Sequence, residues 1–390
     1  SISNWEESLK VLKDKLKTLK PLALIGEHVD LETGYAIKKF MSNYGKNNVE
    51  CRTDNHAILE SLDSYRFNTP LNDIENSDLI ILVGTNPKIE TPIINHKIFK
   101  AYNNDAKVFN IGENISLNYK TDYLGEKLSS LNNENLIKAL KKSTNPLIII
   151  GSAFLNKIKN IKTLKSIFSY ADKYKVITKE KNNLNFLNPY ASRVGQLIIG
   201  NTTNNLCEPF SNLKKDNFEL VLSFGSEHIA NEQFNNCFKV YFGHHGDDGA
   251  MGSDIVLPTP LYTEKNGTFV NIEGRPQEAK KCHNPIGSAK EEWSILKKLS
   301  DELSFDFTPN TFDQLRSELF DKHPILSDYH EIIAVENSTS ITPDIEFEDC
   351  KAEYPVSNFY MSDVISKNSV TMAKCVEEII STPSLLEKSA

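Results

Sequence analysis

Four charged side chains crowd one short stretch, 258–277, which reads PTPLYTEKNGTFVNIEGRPQ: Glu264, Lys265, Glu273 and Arg275. Carboxylates beside cations suit proton transfer, anion binding or docking, and a solvated loop accounts for them equally well. A second cluster, GHHGDDG at 243–249, puts two imidazoles and two carboxylates in one loop, a set able to recruit a divalent cation. Neighbouring residues of an extended segment point to opposite faces, so His244 and His245 are not expected to share a metal. A glycine-rich structural turn is the plainer reading. Glu27-His28-Val29-Asp30 also looks metal-like, although Asp30 is better explained as a helix cap. Gly84-Thr85-Asn86-Pro87 could hold an anion on backbone amides. An ordinary strand-to-helix turn is again simpler.

The common fingerprints of cofactor and nucleophile chemistry are missing. No strand is followed by G-x-G-x-x-G, and there is no G-x-x-x-x-G-K-[ST], G-x-S-x-G or H-E-x-x-H. The six cysteines (Cys51, Cys207, Cys237, Cys282, Cys350 and Cys375) are scattered, with no C-x-x-C and no tight Cys/His group. An iron–sulfur or structural zinc site made by this chain alone is not expected. Scattered cysteines fit a reducing compartment better than a disulfide framework. A formal charge of −8 and a pI near 5.7 argue against a nucleic-acid or anionic-membrane surface. No apolar run approaches the ~20 residues that cross a bilayer, so membrane insertion is not expected. No signal peptide or basic presequence is visible at Ser1, and the chain reads as a mature form or an internal fragment.

These residues need elements to hold them. Trp5, Leu9, Leu12, Leu16 and Leu19 form an apolar stripe on a first helix that Ser3 and Glu6 would cap. Short apolar runs then read as buried parallel strands. Leu22-Ala23-Leu24-Ile25-Gly26 is echoed by Leu147-Ile148-Ile149-Ile150-Gly151, and Leu79-Ile80-Ile81-Leu82-Val83-Gly84 by Leu220-Val221-Leu222-Ser223-Phe224-Gly225. Strand–Gly–helix followed later by strand–Gly–turn, twice over, predicts an α/β fold of two doubly wound lobes, about 1–145 and 146–322. Gly84 and Gly225 would then line a shared crevice at the carboxyl ends of the strands. Asn266-Gly267 signals a tight turn before the strand at Thr268. Ser288 with Glu291, and Thr311 with Gln314, would cap two later helices. From His323 to Val356 the pattern is lost, and an irregular wrapping segment leads to a last helical stretch, so 323–390 forms a carboxyl-terminal extension.

With those residues laid out, GTNPKIETPIINHKI at 84–98, GHHGDDGA at 243–250, the 258–277 stretch and FYMSDVISKNSVTMAKC at 359–375 follow one another in a familiar order. Together they resemble the carboxyl-terminal part of the 75 kDa iron–sulfur subunit family of mitochondrial respiratory complex I. That family is related to the molybdopterin oxidoreductases, and the 359–375 segment decides between the two. The resemblance implies Rossmann-like lobes of molybdopterin-oxidoreductase type without a molybdenum cofactor. It implies iron–sulfur clusters only in an amino-terminal region or partner chain, and no catalytic, cofactor-binding or metal residue here. Cofactor-using relatives carry a Ser, Cys or selenocysteine metal ligand after an N-N-V-like piece, here Asn47-Asn48-Val49. By spacing it would fall near 55–57, where Asn55, His56 and Ala57 stand instead. The 258–277 hairpin becomes an inherited pocket wall whose Glu273 and Arg275 would fix the lobes through internal ion pairs and hydrogen bonds.

The expected role is a non-catalytic scaffold of the complex I peripheral arm. It would sit on the matrix side of the inner mitochondrial membrane, packed on the iron–sulfur portion of its own subunit and on neighbouring peripheral-arm subunits. The rivals are a molybdopterin-dependent, formate-dehydrogenase-like oxidoreductase subunit and a free-standing binding protein using the Gly84/Gly225 crevice. A crevice plugged by side chains would count against the second.

Overall fold

A computed structural model of the chain describes residues 3–46, 48–210, 213, 218–333, 345–354, 356 and 358–380. Two five-stranded parallel sheets organise it. In one, β1 (Pro21–Ile25), β2 (Val49–Glu50), β8 (Leu220–Phe224), β9 (Phe238–Gly243) and β10 (Ile255–Pro258) lie in the order β10-β9-β8-β1-β2. In the other, β3 (Leu79–Val83), β4 (Lys107–Ile111), β5 (Asp122–Gly125), β6 (Pro146–Ile150) and β7 (Leu184–Phe186) lie in the order β5-β4-β3-β6-β7. Each run is continuously apolar because both faces of each sheet are covered. Leu79, Ile81 and Val83 enter one core while Ile80 and Leu82 enter the other, and Ala23 and Ile25 alternate with Leu22 and Leu24 in the same way.

The doubly wound α/β prediction holds, but a boundary between 145 and 146 does not follow the sheets. The first lobe is made of β1–β2 and β8–β10, and the second, β3–β7, is inserted between them. The sequence echo is real: β6 and β7 stand where β1 and β2 stand in the other sheet, and β3–β5 match β8–β10. What the echo lacks is pairing information. Strand β1 pairs with β8 and β6 with β3, so each sheet joins one member of each echoed pair.

Local signals fare unevenly. The helix Trp5–Thr18 is capped one residue later than expected, by Asn4, whose side chain accepts from the Glu7 amide at 2.9 Å. Asp30 caps the helix Leu31–Met41 and Thr311 caps Phe312–Lys322, as their spacing predicts. The helix Glu292–Leu303 begins after Glu291 with no side-chain cap bond, so the Ser288 cap is absent. The hairpin of β11 (Gly267–Val270) and β12 (Pro276–Ala279) turns at 271–275, with Gly274 at φ 84°, and not at Asn266-Gly267. Gly267 is needed for another reason: a Cβ there would lie 2.6 Å from the Cβ of Asp30. Part of the wrapping segment, 334–344, lies outside the described residues. Residues 345–354 strap the second lobe, with Lys351 bridging to Lys127, the Glu353 amide donating to Ala153 O at 3.0 Å and Phe347 edge-on to Tyr170.

Candidate functional site

The carboxyl ends of the two sheets face each other across a crevice, and the chain's own residues 356 and 358–368 lie in it. Several cavities adjoin this segment, and two of them lie between it and the loops at the strand ends. One of about 460 Å³ is lined by Glu27, Asp54, Tyr190 and Glu227 from below and by Asp363 and Lys367 from the segment. Another, of about 230 Å³, lies toward the second lobe, between Glu90, Ser152 and Asn188 on one side and Val356 and Phe359 on the other. Lys367 Nζ reaches both oxygens of Glu227, at 2.7 and 2.8 Å, and Asn368 Nδ2 donates to Gly246 O at 3.0 Å. The strap therefore leaves the second lobe at Tyr354 and is tied to the first at Lys367.

The loops that elementary rules nominate for ligands are already engaged. In the 84–87 turn, the Asn86 amide donates at 2.8 Å to Glu90, whose carboxylate occupies the place an anion would take. Burial pushes that carboxyl up to about 7. Gly84 lies against the Phe154 ring and lines neither cavity, contrary to expectation. At the matching turn the Ser226 amide donates to Ser223 Oγ at 3.1 Å. In 243–249, Asp247 caps the helix Asp248–Met251 and accepts from the Tyr241 hydroxyl at 2.6 Å, as befits a structural turn. His244 and His245 do not diverge: their Nδ1 atoms are 2.6 Å apart, so one ring donates to the other. Among the described residues no group of three or more His, Cys, Asp or Glu has the arrangement of a metal site.

Beneath the crevice lies a buried charge network that the sequence did not announce. Arg193 Nη2 meets Asp54 Oδ1 at 2.7 Å, with the guanidinium over the Tyr190 ring. Burial alone would raise the Asp54 carboxyl; the Arg193 charge holds it below the ordinary range instead. His56 is fully buried and held neutral, its pKa depressed to about 3 by burial and by Arg193. Next to it, Arg52 is gripped bidentately by Glu50, with Nε at 2.9 Å and Nη2 at 2.8 Å. Asp54 and Arg193 are 139 residues apart, and no spacing rule joins them.

Like Glu90, Glu27 is a crevice carboxyl poised to titrate near neutrality, and it is the one that lines the acidic cavity. Burial first, then Glu227, raises it to about 7 against the opposing pull of Lys367. Folding thus strengthens its proton affinity, so its contribution to stability is present at low pH and is lost as pH rises through about 7. Glu27→Gln should remove that term: the stability of the wild type relative to the variant should fall between pH 5 and pH 8 in urea titrations. A difference independent of pH would refute the assignment. His28 and His228, both lowered by burial, act oppositely below their ordinary range and are common to both proteins.

The 258–277 hairpin is a structural anchor. Lys265 Nζ lies 2.8 Å from both Asp30 and Glu292, all three side chains being almost fully buried. Glu32 accepts from the Thr268 amide and hydroxyl at 2.8 Å and from Arg316 at 2.7 Å. Glu273 reaches the Leu71 amide at 2.9 Å, which ties the hairpin to the inserted lobe as expected. Arg275, however, donates to the His330 carbonyl and not to a carboxylate. The bidentate arginine of this fold is Arg52.

A phosphate-bearing dithiolene cofactor does not fit these residues. The described lining of the larger cavity holds four carboxylates and a single ammonium, a poor match for a phosphate. Residues 54–57 supply no thiol or hydroxyl, and Cys51 is buried with its thiol pushed up to about 12 by burial and Glu50. Comparison with known proteins nonetheless places the chain in a family named for that cofactor. The Molybdopterin oxidoreductase family model matches residues 3–302, and the model for the carboxyl terminus of the NADH-ubiquinone oxidoreductase G-subunit matches 334–375. The NADH-quinone oxidoreductase G-subunit of Rickettsia bellii is 34% identical over 96% of this chain and 55% of its own length. The mitochondrial NADH-ubiquinone oxidoreductase 78 kDa subunit of Candida albicans is 30% identical over 96% and 54%. The chain thus spans about half the length of these curated relatives. In fold it is similar to a chain of the formyltransferase/hydrolase complex of Methylorubrum extorquens, with a TM-score of 0.56 at 12% identity over 83% of this chain and 98% of that one. The chain belongs to the molybdopterin oxidoreductase family, and its residues 334–375 match the carboxyl-terminal model of the NADH-ubiquinone oxidoreductase G-subunit.

Proposed function

We propose that this chain is a non-catalytic scaffold of the peripheral arm of NADH:ubiquinone oxidoreductase, respiratory complex I. The observation that carries the proposal is the occupant of the crevice. Residues 356 and 358–368, within the 334–375 segment that matches the G-subunit carboxyl-terminal model, cover the crevice at the carboxyl ends of the strands, where a family member is expected to seat its cofactor. The chain then supports electron transfer from NADH to quinone without carrying electrons. It holds no molybdenum cofactor, and iron–sulfur clusters belong to other parts of the subunit or its partners. Its partners are the iron–sulfur portion of its own subunit and neighbouring peripheral-arm subunits, on the matrix side of the inner mitochondrial membrane. The mitochondrial relative supports that location. No helix among the described residues is long and apolar enough to cross a membrane.

Tagged chain is expected to co-purify in a megadalton complex with NADH dehydrogenase activity, and deletion of 357–390 to weaken incorporation while the α/β body still folds. Full incorporation of the truncated chain would refute the role given to that segment. Stoichiometric molybdenum or pterin in the isolated chain would refute the scaffold reading and favour the formate-dehydrogenase-like alternative.

A further inference from the structure

The cavity of about 460 Å³ has an unusual charge balance. Four carboxylates line it (Glu27, Asp54, Glu227 and Asp363), together with His28 and His228, and Lys367 is the one ammonium or guanidinium among its described lining residues. Arg193 offsets Asp54 from below. Glu27, Glu227 and Asp363 remain, and they face a single cation. Under Glu27 and Glu227 a further cavity of about 20 Å³, the size of one water, is lined by Ser226, whose buried hydroxyl has no hydrogen-bond partner. The metal alternative has no geometric support among the described residues. The strap itself is lightly packed: every described residue from 345 to 380 is partly or fully exposed, so hydrophobic burial holds it weakly.

We propose that this acidic crevice is a recognition site for a primary ammonium group, which the chain fills in cis with Lys367, making 358–368 a latch across the crevice. The ammonium donates to both oxygens of Glu227, at 2.7 and 2.8 Å, and offsets the neighbouring carboxylates. The Asp363 side chain, capping Val364–Lys367 through the Ile365 amide at 2.8 Å, sets the short helix that presents it. The Glu27 carboxyl is raised first by burial and then by the neighbouring Glu227, with Lys367 opposing them.

The test is hydrogen exchange of amides 359–368 in the full chain. Lys367 is 40% exposed, so Lys367→Ala leaves the body folded. Exchange in the strap should accelerate about fivefold, the factor that corresponds to the ~1 kcal/mol of a partly exposed ion pair. Ethylammonium at about 0.5 M, above the roughly 0.2 M dissociation constant that ~1 kcal/mol corresponds to, should restore part of the wild-type protection, whereas tetramethylammonium at the same concentration, which lacks N–H donors, should not. In Glu227→Gln the strap should also exchange faster, with no rescue by ethylammonium. Unchanged exchange in Lys367→Ala would overturn the latch. Equal rescue by both cations, or rescue by neither, would overturn the ammonium site.

Discussion

Lys265→Met lowers the free energy of unfolding by about 3–5 kcal/mol, read as a lower urea midpoint with an unchanged slope. The expectation follows from geometry. The ammonium lies 2.8 Å from Asp30 Oδ2 and 2.8 Å from Glu292 Oε2. Burial would lower its pKa, yet the two carboxylates raise it, so the charge is held firmly. Methionine matches the stem of lysine, so the change removes charge and little volume. Two carboxylates are then left in a dry site with no cation. Asp30 keeps the Thr33 amide and hydroxyl, at 2.8 and 2.9 Å, whereas Glu292 loses the ammonium that pairs its carboxylate. Adding Glu292→Gln to Lys265→Met should therefore recover part of the loss, a coupling visible only in the double-mutant cycle. A drop below about 1 kcal/mol for Lys265→Met would mean that water reaches the site and that the hairpin is not anchored there.

That anchor was half legible. Glu264, Lys265, Glu273 and Arg275 stood out as a charge cluster, and the reading that they fix the lobes was right for Glu273. Their partners were not legible, because Asp30, Glu292 and Glu32 meet the hairpin only through tertiary packing. The same limit governs the fold. Apolar runs ending in glycine identify β1, β3, β6 and β8 as buried strands, since burial on both faces removes polar residues from the strand itself. Nothing in a run says which strand it pairs with, because parallel partners are joined by long crossovers and carry no local turn signal. A chain division at 145/146 was the natural reading of a tandem echo, and inserting one sheet inside the other is equally compatible with it. The crevice was placed correctly at the carboxyl ends of the strands. Its filling by residues 356 and 358–368 was not legible, since that segment is short, mostly half-buried and mixed in polarity, and it meets the crevice only through tertiary contacts.

The duplicated glycine contacts yield the second large expectation. Gly26 follows β1 and Gly151 follows β6, at equivalent places in the two sheets. The Gly26 amide donates to Phe224 O at 2.9 Å and the Gly151 amide to Val83 O at 2.8 Å. Beside each stands a second glycine in the left-handed region, Gly225 at φ 68° and Gly84 at φ 63°. A Cβ on Gly26 would lie 2.1 Å from the Gly225 carbonyl oxygen, and one on Gly151 would lie 2.2 Å from that of Gly84. The obstacle in each case is backbone hydrogen-bonded into the sheet, not a side chain able to swing away. Gly26→Ala and Gly151→Ala should each destabilise by about 3 kcal/mol, the upper part of the range for overpacking. The two losses should be similar, because the nearest contact, to the carbonyl oxygen, repeats to within a tenth of an ångström. Gly246→Ala is the control: that residue is exposed with open space around it, and the change should stay within about 0.5 kcal/mol. If Gly26→Ala and Gly151→Ala match the control, the strands at the crevice floor are free to separate. The close approach of paired glycines would then not be what brings the two sheets to the same geometry.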